Sequence, residues 1–182
     1  MKYWILIIGV LIGVSSHGEF DGKYTNPECE FYKVKIPGSP KEILENFLRS
    51  ESRGNFLGNK TSDLDHFLTC PVRQGGPDHF YAVNGFRIVK EKVHKKYAEI
   101  VVEYDLLGDI FSGGKNGELE VFKPMVSKKQ AVFKMENTSF GWRIVFDVTW
   151  ISHVNGKSAL DFLKDRRWDA QSKDILESLI TK

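Results

Sequence analysis

The side chains best suited to chemistry in this sequence are its histidines and its 2 cysteines. The histidines beyond the first twenty residues are His66, His79, His94 and His153. No two of them have the i,i+4 spacing that places two metal ligands on one helix face, and neither cysteine stands in a Cys-x-x-Cys pair. We therefore expect neither a metal site nor a cofactor.

One acid–base pair can be read from local spacing. Asp63, Asp65 and His66 lie together on a short predicted helix, and a carboxylate beside an imidazole can raise its basicity. Neighbouring helix positions point about 100° apart, however, and such charged side chains usually face water. The catalytic residues therefore stay unknown, and the sequence leans towards a protein without enzymatic activity.

Cys29 and Cys70 are an even pair, which predicts a disulfide in an oxidising compartment. Closing a loop of about 40 residues would contribute about 4 kcal/mol in the chain-entropy model. Two free thiols are the alternative. Because no histidine of catalytic type lies near Cys70-Pro71, we do not expect a nucleophilic cysteine.

The glycine-rich segment from Gly108 to Asn116 looks superficially like a phosphate-binding loop. Its register is wrong, because Gly114 follows the second glycine and Asn116 replaces the metal-binding hydroxyl. The flanking pattern is strand–loop–strand. We therefore predict a flexible hairpin loop from Gly108 to Gly117.

The first residues indicate where the protein works. Lys2 is followed by an apolar run from Tyr3 to Val14 and then by Ser15 and Ser16, the pattern of a secretory signal peptide. The run is shorter than the about 20 residues that a membrane-spanning helix needs. We therefore expect an exported protein, periplasmic or extracellular, cleaved after Ser16 or Gly18 and without a stable membrane span afterwards.

The remaining length predicts one domain. We expect a signal peptide at 1–18, an N-terminal extension at 19–38 and a single α+β domain at 39–182. The chain has 26 basic and 24 acidic side chains, spread along its length. This balance gives no reason to expect nucleic acid as a partner.

Two helices, a run of strands and two further helices must position the side chains named above. Ser39-Pro40-Lys41-Glu42 combines an N-cap serine, an N1 proline and a capping-box glutamate, and predicts a helix that ends at Gly54. A short helix follows from Ser62. Near the C-terminus we predict a helix capped by Ser158 and a last one carrying Ile175 to Ile180.

From about Tyr81 the apolar period changes to two, which predicts strands. The predicted strands lie around Phe86 to Val93, Tyr97 to Leu107, Leu119 to Phe122 (an edge strand closed by Pro124), Ala131 to Met135 and Trp142 to Trp150. Aromatic residues recur along them. A row of this kind is first of all what a core beneath the helices requires. As the functional alternative, in which part of the row lines a pocket, we select as candidate ligand-binding residues Tyr81, Tyr104, Phe133, Phe146 and Trp150.

Several segments resemble the nuclear transport factor 2-like superfamily, which includes ketosteroid isomerase-like and dehydratase proteins. Ser39 to Leu48, with Ser52-Arg53-Gly54, resemble its opening helix. Ala131 to Met135, with Gly141-Trp142-Arg143-Ile144, resemble its closing hairpin. His153-Val154, with the helix from Ser158, resemble the helical tail of exported bacterial members. The resemblance implies N-terminal helices packed on a strongly curved, cone-like antiparallel sheet with a pocket, a helical C-terminal tail and often a homodimer. It implies no activity, because no catalytic motif of the family can be matched residue by residue.

Three functions are compatible with these observations. The first is an exported, non-catalytic binding module for a small apolar ligand or a protein partner. The second is a small-molecule isomerase, dehydratase or hydrolase, which would need a desolvated Asp or His near a tyrosine. The third is a structural or assembly protein of the cell envelope, which would need an exposed apolar sheet face.

Overall fold

The protein folds as an α+β structure in which a curved sheet is enclosed by helices from both ends of the sequence. The computed structural model describes residues 34–55, 62–69, 79–113, 119–145, 151–163 and 170–181. The elements in these ranges are α1 (Pro40–Ser52), α2 (Ser62–Asp65), β1 (His79–Val93), β2 (Tyr97–Gly113), β3 (Leu119–Thr138), β4 (Gly141–Ile144), β5 (His153–Asn155), α3 (Gly156–Leu163) and α4 (Ala170–Ile180). The predicted fold class is therefore confirmed.

Helix α1 forms for the local reasons that its sequence predicts. The Ser39 hydroxyl accepts a hydrogen bond from the Glu42 N–H at 3.2 Å, and the Glu42 carboxylate accepts one from the Ser39 N–H at 2.7 Å. Pro40 occupies the first turn, and Gly54 ends the helix with a φ of 77°. The buried stripe of α1 is Pro40, Ile43, Leu44, Phe47, Leu48 and Glu51.

The strands form one sheet in the order β4-β3-β2-β1-β5, curled into a half-barrel. The pairs β1–β2, β2–β3 and β3–β4 are antiparallel. The sheet is mixed rather than wholly antiparallel, because β5 pairs in parallel with β1, Tyr81 lying beside His153 and Val83 beside Asn155. Strand β5 therefore begins where the resemblance had predicted the start of the helical tail.

The sheet buries different faces along its length. Phe133 packs on Phe47 of α1 with ring centroids 6.5 Å apart. Phe122 lies an odd number of positions away on the same strand, so its side chain points to the opposite face. Both β2 neighbours shift register near Leu107. One face of the sheet is therefore buried under α1. Beyond the register shift at Leu107, the opposite face is buried near α4, where the Ser172 hydroxyl accepts a hydrogen bond from the Phe122 N–H at 3.0 Å.

The predicted hairpin loop is wrong over its first part, because Gly108 to Gly113 continue β2. A Cβ on Gly108 would lie 2.5 Å from the Lys123 carbonyl oxygen, so glycine here permits close packing of β3. Pro124 does not close an edge strand but lies inside β3, paired with Gly108. Strand β3 pairs with β4 only from Met135 onwards, and the Phe122 N–H on that side donates to Ser172. The Pro124 nitrogen, two positions further on, faces the same side, so its missing N–H removes no hydrogen bond to β2.

In the C-terminal half one prediction is corrected and one is described only in part. Helix α3 begins at Gly156 rather than after Ser158, because the Asn155 side chain accepts a hydrogen bond from the Ser158 N–H at 2.8 Å and acts as the cap. The long strand predicted from Trp142 is described only to the end of β4 at Ile144, and residues 146–150 lie outside the described residues.

The signal peptide and most of the predicted extension also lie outside the described ranges, as do Cys29 and Cys70. The end of the extension is described: the Ile36 N–H donates to the Phe140 carbonyl at 3.0 Å, and the Arg143 guanidinium donates to the Val34 carbonyl at 2.5 Å. None of the described helices is long and apolar enough to cross a membrane.

Candidate functional site

A cluster of polar side chains is buried between the end of α1, β5 and the middle of β2. Its members are Glu51 and Ser52 of α1, His153 of β5 and Tyr104 of β2. Glu51 is 1% exposed, whereas His153 and Tyr104 are fully buried. Ser52 is the member that solvent partly reaches. Helix α1 presents Glu51 because this residue continues its buried stripe, and β5 presents His153 because it pairs with β1.

The hydrogen bonds of His153 define the order of the groups. Its Nδ1 lies 3.2 Å from the Glu51 carboxylate and 3.2 Å from the Ile151 carbonyl, both of which can only accept. Nδ1 therefore carries the proton in the neutral ring. Nε2 lies 3.0 Å from the Ser52 hydroxyl and is left to accept its proton. The result is a continuous chain from Glu51 through His153 to Ser52.

Tyr104 closes the cluster on the sheet side. Its ring meets that of His153 edge-on, with centroids 4.7 Å apart. Burial, and then the negative charge of Glu51, raise the pKa of Tyr104 well above its ordinary value. Its hydroxyl has no hydrogen-bond partner among the described residues. A buried, unpaired hydroxyl of this kind costs free energy and offers a donor to an incoming acceptor.

A second, exposed cluster lies on the same sheet face beyond the cover of α1. The Lys129 ammonium donates to the Tyr81 hydroxyl at 3.0 Å and stands 4.5 Å from the centre of its ring. His79 packs edge-on against Tyr81 and lies 3.3 Å from the Asp109 carboxylate. In the β2–β3 register Lys129 lies directly opposite Tyr104, so this exposed cluster adjoins the buried one.

The described aromatic residues that were predicted to bind a ligand are divided between the buried core and the exposed cluster. Tyr104 and Phe133 lie in the core on the α1 face, and Phe133 is 5% exposed. Tyr81 lies in the exposed cluster, on the same face. Phe146 and Trp150 lie outside the described residues. The assignment of these residues to a ligand site therefore stays a prediction.

Sequence reasoning missed the Glu51–His153–Ser52 chain. The sequence singles out His153 only as one of four histidines beyond the first twenty residues and as part of the segment that resembles the helical tail, and Ser52 only as part of the helix exit. The available signal was Glu51, which stands four residues after Phe47 and three after Leu48 on an otherwise apolar stripe. A carboxylate on such a stripe requires a buried partner.

Within the ranges that the structure describes, no group of three or more His, Cys, Asp and Glu side chains is placed to hold a metal ion. The buried cluster supplies one imidazole and one carboxylate, already bonded to each other. The arrangement can move a proton between Ser52 and His153, with Glu51 orienting the ring and stabilising its charged form.

The comparisons with known proteins give one weak likeness. No family model matches the chain, and no curated protein sequence matches it. A crystal structure from Campylobacter jejuni, described provisionally as an NTF2-like transpeptidase, is similar over 60% of this chain and 100% of the other, with 14% identity and a TM-score of 0.33. This likeness carries no argument about activity, so the α+β cone rests on the strand order and curvature described above, and membership of the superfamily stays a prediction.

Proposed function

We propose that the protein binds a small, largely apolar ligand that carries one hydrogen-bond acceptor, on the sheet face that bears α1. The observation that carries this proposal is the buried Tyr104 hydroxyl, which has no partner among the described residues. An acceptor that reached it would form a hydrogen bond in an apolar, desolvated environment, where such a bond is strong. Burial of apolar ligand surface would supply most of the remaining affinity.

The exposed cluster gives the ligand a second contact and a direction of entry. Lys129 makes no ion pair with a carboxylate among the described residues; its partners are the hydroxyl and ring of Tyr81. Because Lys129 lies opposite Tyr104 on the neighbouring strand, a ligand entering beside it meets first a cation and an aromatic ring, then the buried hydroxyl. We therefore expect a polar or anionic end to remain near Lys129.

Of the alternative functions, the structural role has the least support. It requires an exposed apolar sheet face, but the face of the central strands opposite Tyr104 carries charged pairs. Glu103 lies 2.7 Å from Arg87 and 3.4 Å from Lys128, and it accepts a hydrogen bond from Gln130 at 3.1 Å. The exposed valines on this face, such as Val132, are scattered among those charges.

An isomerase or dehydratase of the same superfamily is the second candidate, favoured by the desolvated His153 and Glu51 beside Tyr104. Such an enzyme needs a base that reaches the substrate directly. Nε2 of His153 is instead engaged by the Ser52 hydroxyl. Binding is therefore the better supported function, and a protein partner or a homodimer is not needed to explain it.

We also propose that the protein is exported, on the strength of the apolar run from Tyr3 to Val14 behind Lys2. Expression of the full chain in a bacterial host, followed by intact-mass measurement of the periplasmic fraction, tests this. Cleavage after Ser16 or Gly18 supports export. Retention of the full mass in the cytoplasm contradicts it.

Binding is tested by titrating the protein with anilinonaphthalene sulfonate, an apolar aromatic anion whose fluorescence rises in apolar sites. We expect saturable binding that weakens in Tyr104→Phe and in Lys129→Met. The matched controls are Tyr97→Phe, an exposed tyrosine on the same strand as Tyr104, and Lys128→Met, whose side chain lies on the opposite face near Glu103. Binding that is absent, or equal in Tyr104→Phe and the parent, contradicts the proposal.

A further inference from the structure

We infer that Ser52 is an activated nucleophile and that the protein transfers the acyl group of small carboxylic esters to Ser52 and then to water. The order of groups is nucleophile, base and orienting carboxylate. The Ser52 hydroxyl lies 3.0 Å from Nε2 of His153, and Nδ1 of that ring lies 3.2 Å from the Glu51 carboxylate. These are the distances and the tautomer that activate a serine in unrelated hydrolases.

The accessibility of the three groups matches their roles. The base and the orienting carboxylate need to be fixed and dry, and His153 and Glu51 are 0% and 1% exposed. The nucleophile needs to be reached, and Ser52 is the member of the chain that is partly exposed, at the last position of α1.

A purely structural role does not require this chain of groups. The junction between α1 and β5 is already held by a separate hydrogen bond, from the Asn155 side-chain amide to the Ser52 carbonyl at 2.8 Å. Placing a carboxylate and an imidazole in the core costs desolvation energy that a pair of apolar side chains would avoid. Packing of α1 on the sheet by Phe47 and Phe133 would proceed without them.

The surroundings of the ring define the class of ester. Phe86 and Tyr104 both pack edge-on against His153, with ring centroids 5.9 and 4.7 Å away. These aromatic walls favour an apolar acyl group. Because His153 and Tyr104 are buried completely, the acyl group must be short or the substrate must displace α1 side chains.

The reaction balances with water as the second substrate. The Ser52 oxygen attacks the ester carbonyl carbon while its proton passes to Nε2 of His153. The tetrahedral intermediate then collapses, the bond to the alcohol oxygen breaks, and the imidazolium returns its proton to that oxygen. Water attacks the resulting acyl-serine in the same way, giving the carboxylic acid and restoring the Ser52 hydroxyl.

Slow turnover is expected. The N–H groups of Arg53 and Gly54, which follow the nucleophile, donate to the Ser50 and Glu51 carbonyls at the end of α1. They are therefore not available as donors to the developing oxyanion, a contribution that is large in efficient hydrolases. Covalent labelling of Ser52 is consequently a more sensitive readout than release of product.

The experiment is labelling of the full chain with a fluorophosphonate, followed by intact-mass measurement and peptide mapping. The serine oxygen forms a bond to phosphorus, fluoride leaves, and the proton passes to His153. We expect one adduct, on Ser52, and none in Ser52→Ala. The matched control is Ser50→Ala, on the same helix, whose hydroxyl accepts a hydrogen bond from the Asn55 side-chain amide at 2.7 Å, whereas the serine bonded to His153 is Ser52.

Removal of the base distinguishes an activated serine from a merely accessible one. In His153→Gln we expect the labelling rate to fall by about 10²-fold or more, and in Glu51→Gln, which keeps the shape of the side chain, to fall as well. Circular dichroism identifies which variants are folded. Absence of labelling in the folded parent, labelling at another residue, or equal rates in a folded Glu51→Gln overturns the inference. None of these outcomes bears on the binding titration, which relies on Tyr104 and Lys129.

Discussion

Replacing Tyr104 by phenylalanine deletes only a hydroxyl, and we expect the protein to become more stable. The Tyr104 ring is fully buried and its hydroxyl has no hydrogen-bond partner among the described residues. A buried polar group without a partner costs about 1–3 kcal/mol, so its removal should raise the free energy of unfolding by an amount in this range. In a chain of this size, each 1 kcal/mol corresponds to a rise of about 2–4 °C in the melting temperature.

The assay is urea unfolding at neutral pH, followed by the fluorescence of the tryptophans and by circular dichroism. Tyr97→Phe is the matched control, because Tyr97 is 42% exposed and loses a hydroxyl that water already solvates. A loss of about 1 kcal/mol in Tyr104→Phe would refute the reasoning, since that is the typical cost of removing a hydrogen bond that is made. The ligand proposal would lose its main support at the same time.

The same substitution should also change the response to alkaline pH. Burial raises the pKa of Tyr104 above that of a tyrosine in the unfolded chain, about 10. The folded state therefore holds the phenolic proton more tightly. The stability that this provides is complete below about pH 10 and is lost as the pH rises through the folded-state pKa. Tyr104→Phe should remove this alkaline loss, whereas Tyr97→Phe should leave the loss from Tyr104 in place.

The remaining predictions concern local stability. Ser39→Ala removes the N-cap of α1 and should cost about 1 kcal/mol in urea unfolding. Hydrogen bonds from the Ser39 backbone N–H, and then from its side chain, lower the pKa of Glu42. The stability that this carboxylate contributes is therefore present above its ordinary pKa and is lost as the pH falls through its folded-state pKa. Glu42→Gln should reduce this loss of stability in acid, measured by urea unfolding at several pH values. Gly108→Ala places a Cβ 2.5 Å from the Lys123 carbonyl oxygen and against the Phe122 ring, and should cost at least the roughly 1–3 kcal/mol that is typical of overpacking, measured by the shift in melting temperature. Glu103→Gln breaks exposed ion pairs, and its smaller effect should disappear in high salt.

The elements that the sequence predicts well are those with local causes. The start of α1 depends on hydrogen bonds between Ser39 and Glu42, three residues apart, and its end depends on a left-handed glycine. The alternation from Ala98 to Leu106 likewise defines which face of β2 is buried. In each case the controlling residues lie within one turn or one strand, so the pattern alone is sufficient.

The wrong predictions have causes that depend on neighbouring strands rather than on local preferences. The four glycines from Gly108 onwards predict a loop because glycine is common in turns, but Gly108 stays in β2 because the Phe122 ring and the Lys123 carbonyl occupy the space of a side chain. The sequence predicts Ser158 as the N-cap of α3, whereas in the structure Asn155 is the cap and accepts a hydrogen bond from the Ser158 N–H. Both asparagine and serine are good N-caps, so the start of α3 was decided by where β5 ends rather than by cap preference.

The buried site required a still longer-range contact. Ser52 and His153 are 101 residues apart in the sequence, and they meet because β5 adds in parallel to β1, which no local signal predicts. The residue whose position in the sequence indicates the site is Glu51, a carboxylate in register with the apolar stripe of α1. Packing alone would favour an apolar side chain there, since a buried carboxylate destabilises the fold unless it is paired. A single charged residue in an otherwise apolar helix stripe therefore indicates a functional site more directly than a row of aromatic residues does, because a well-packed core also requires aromatic rows.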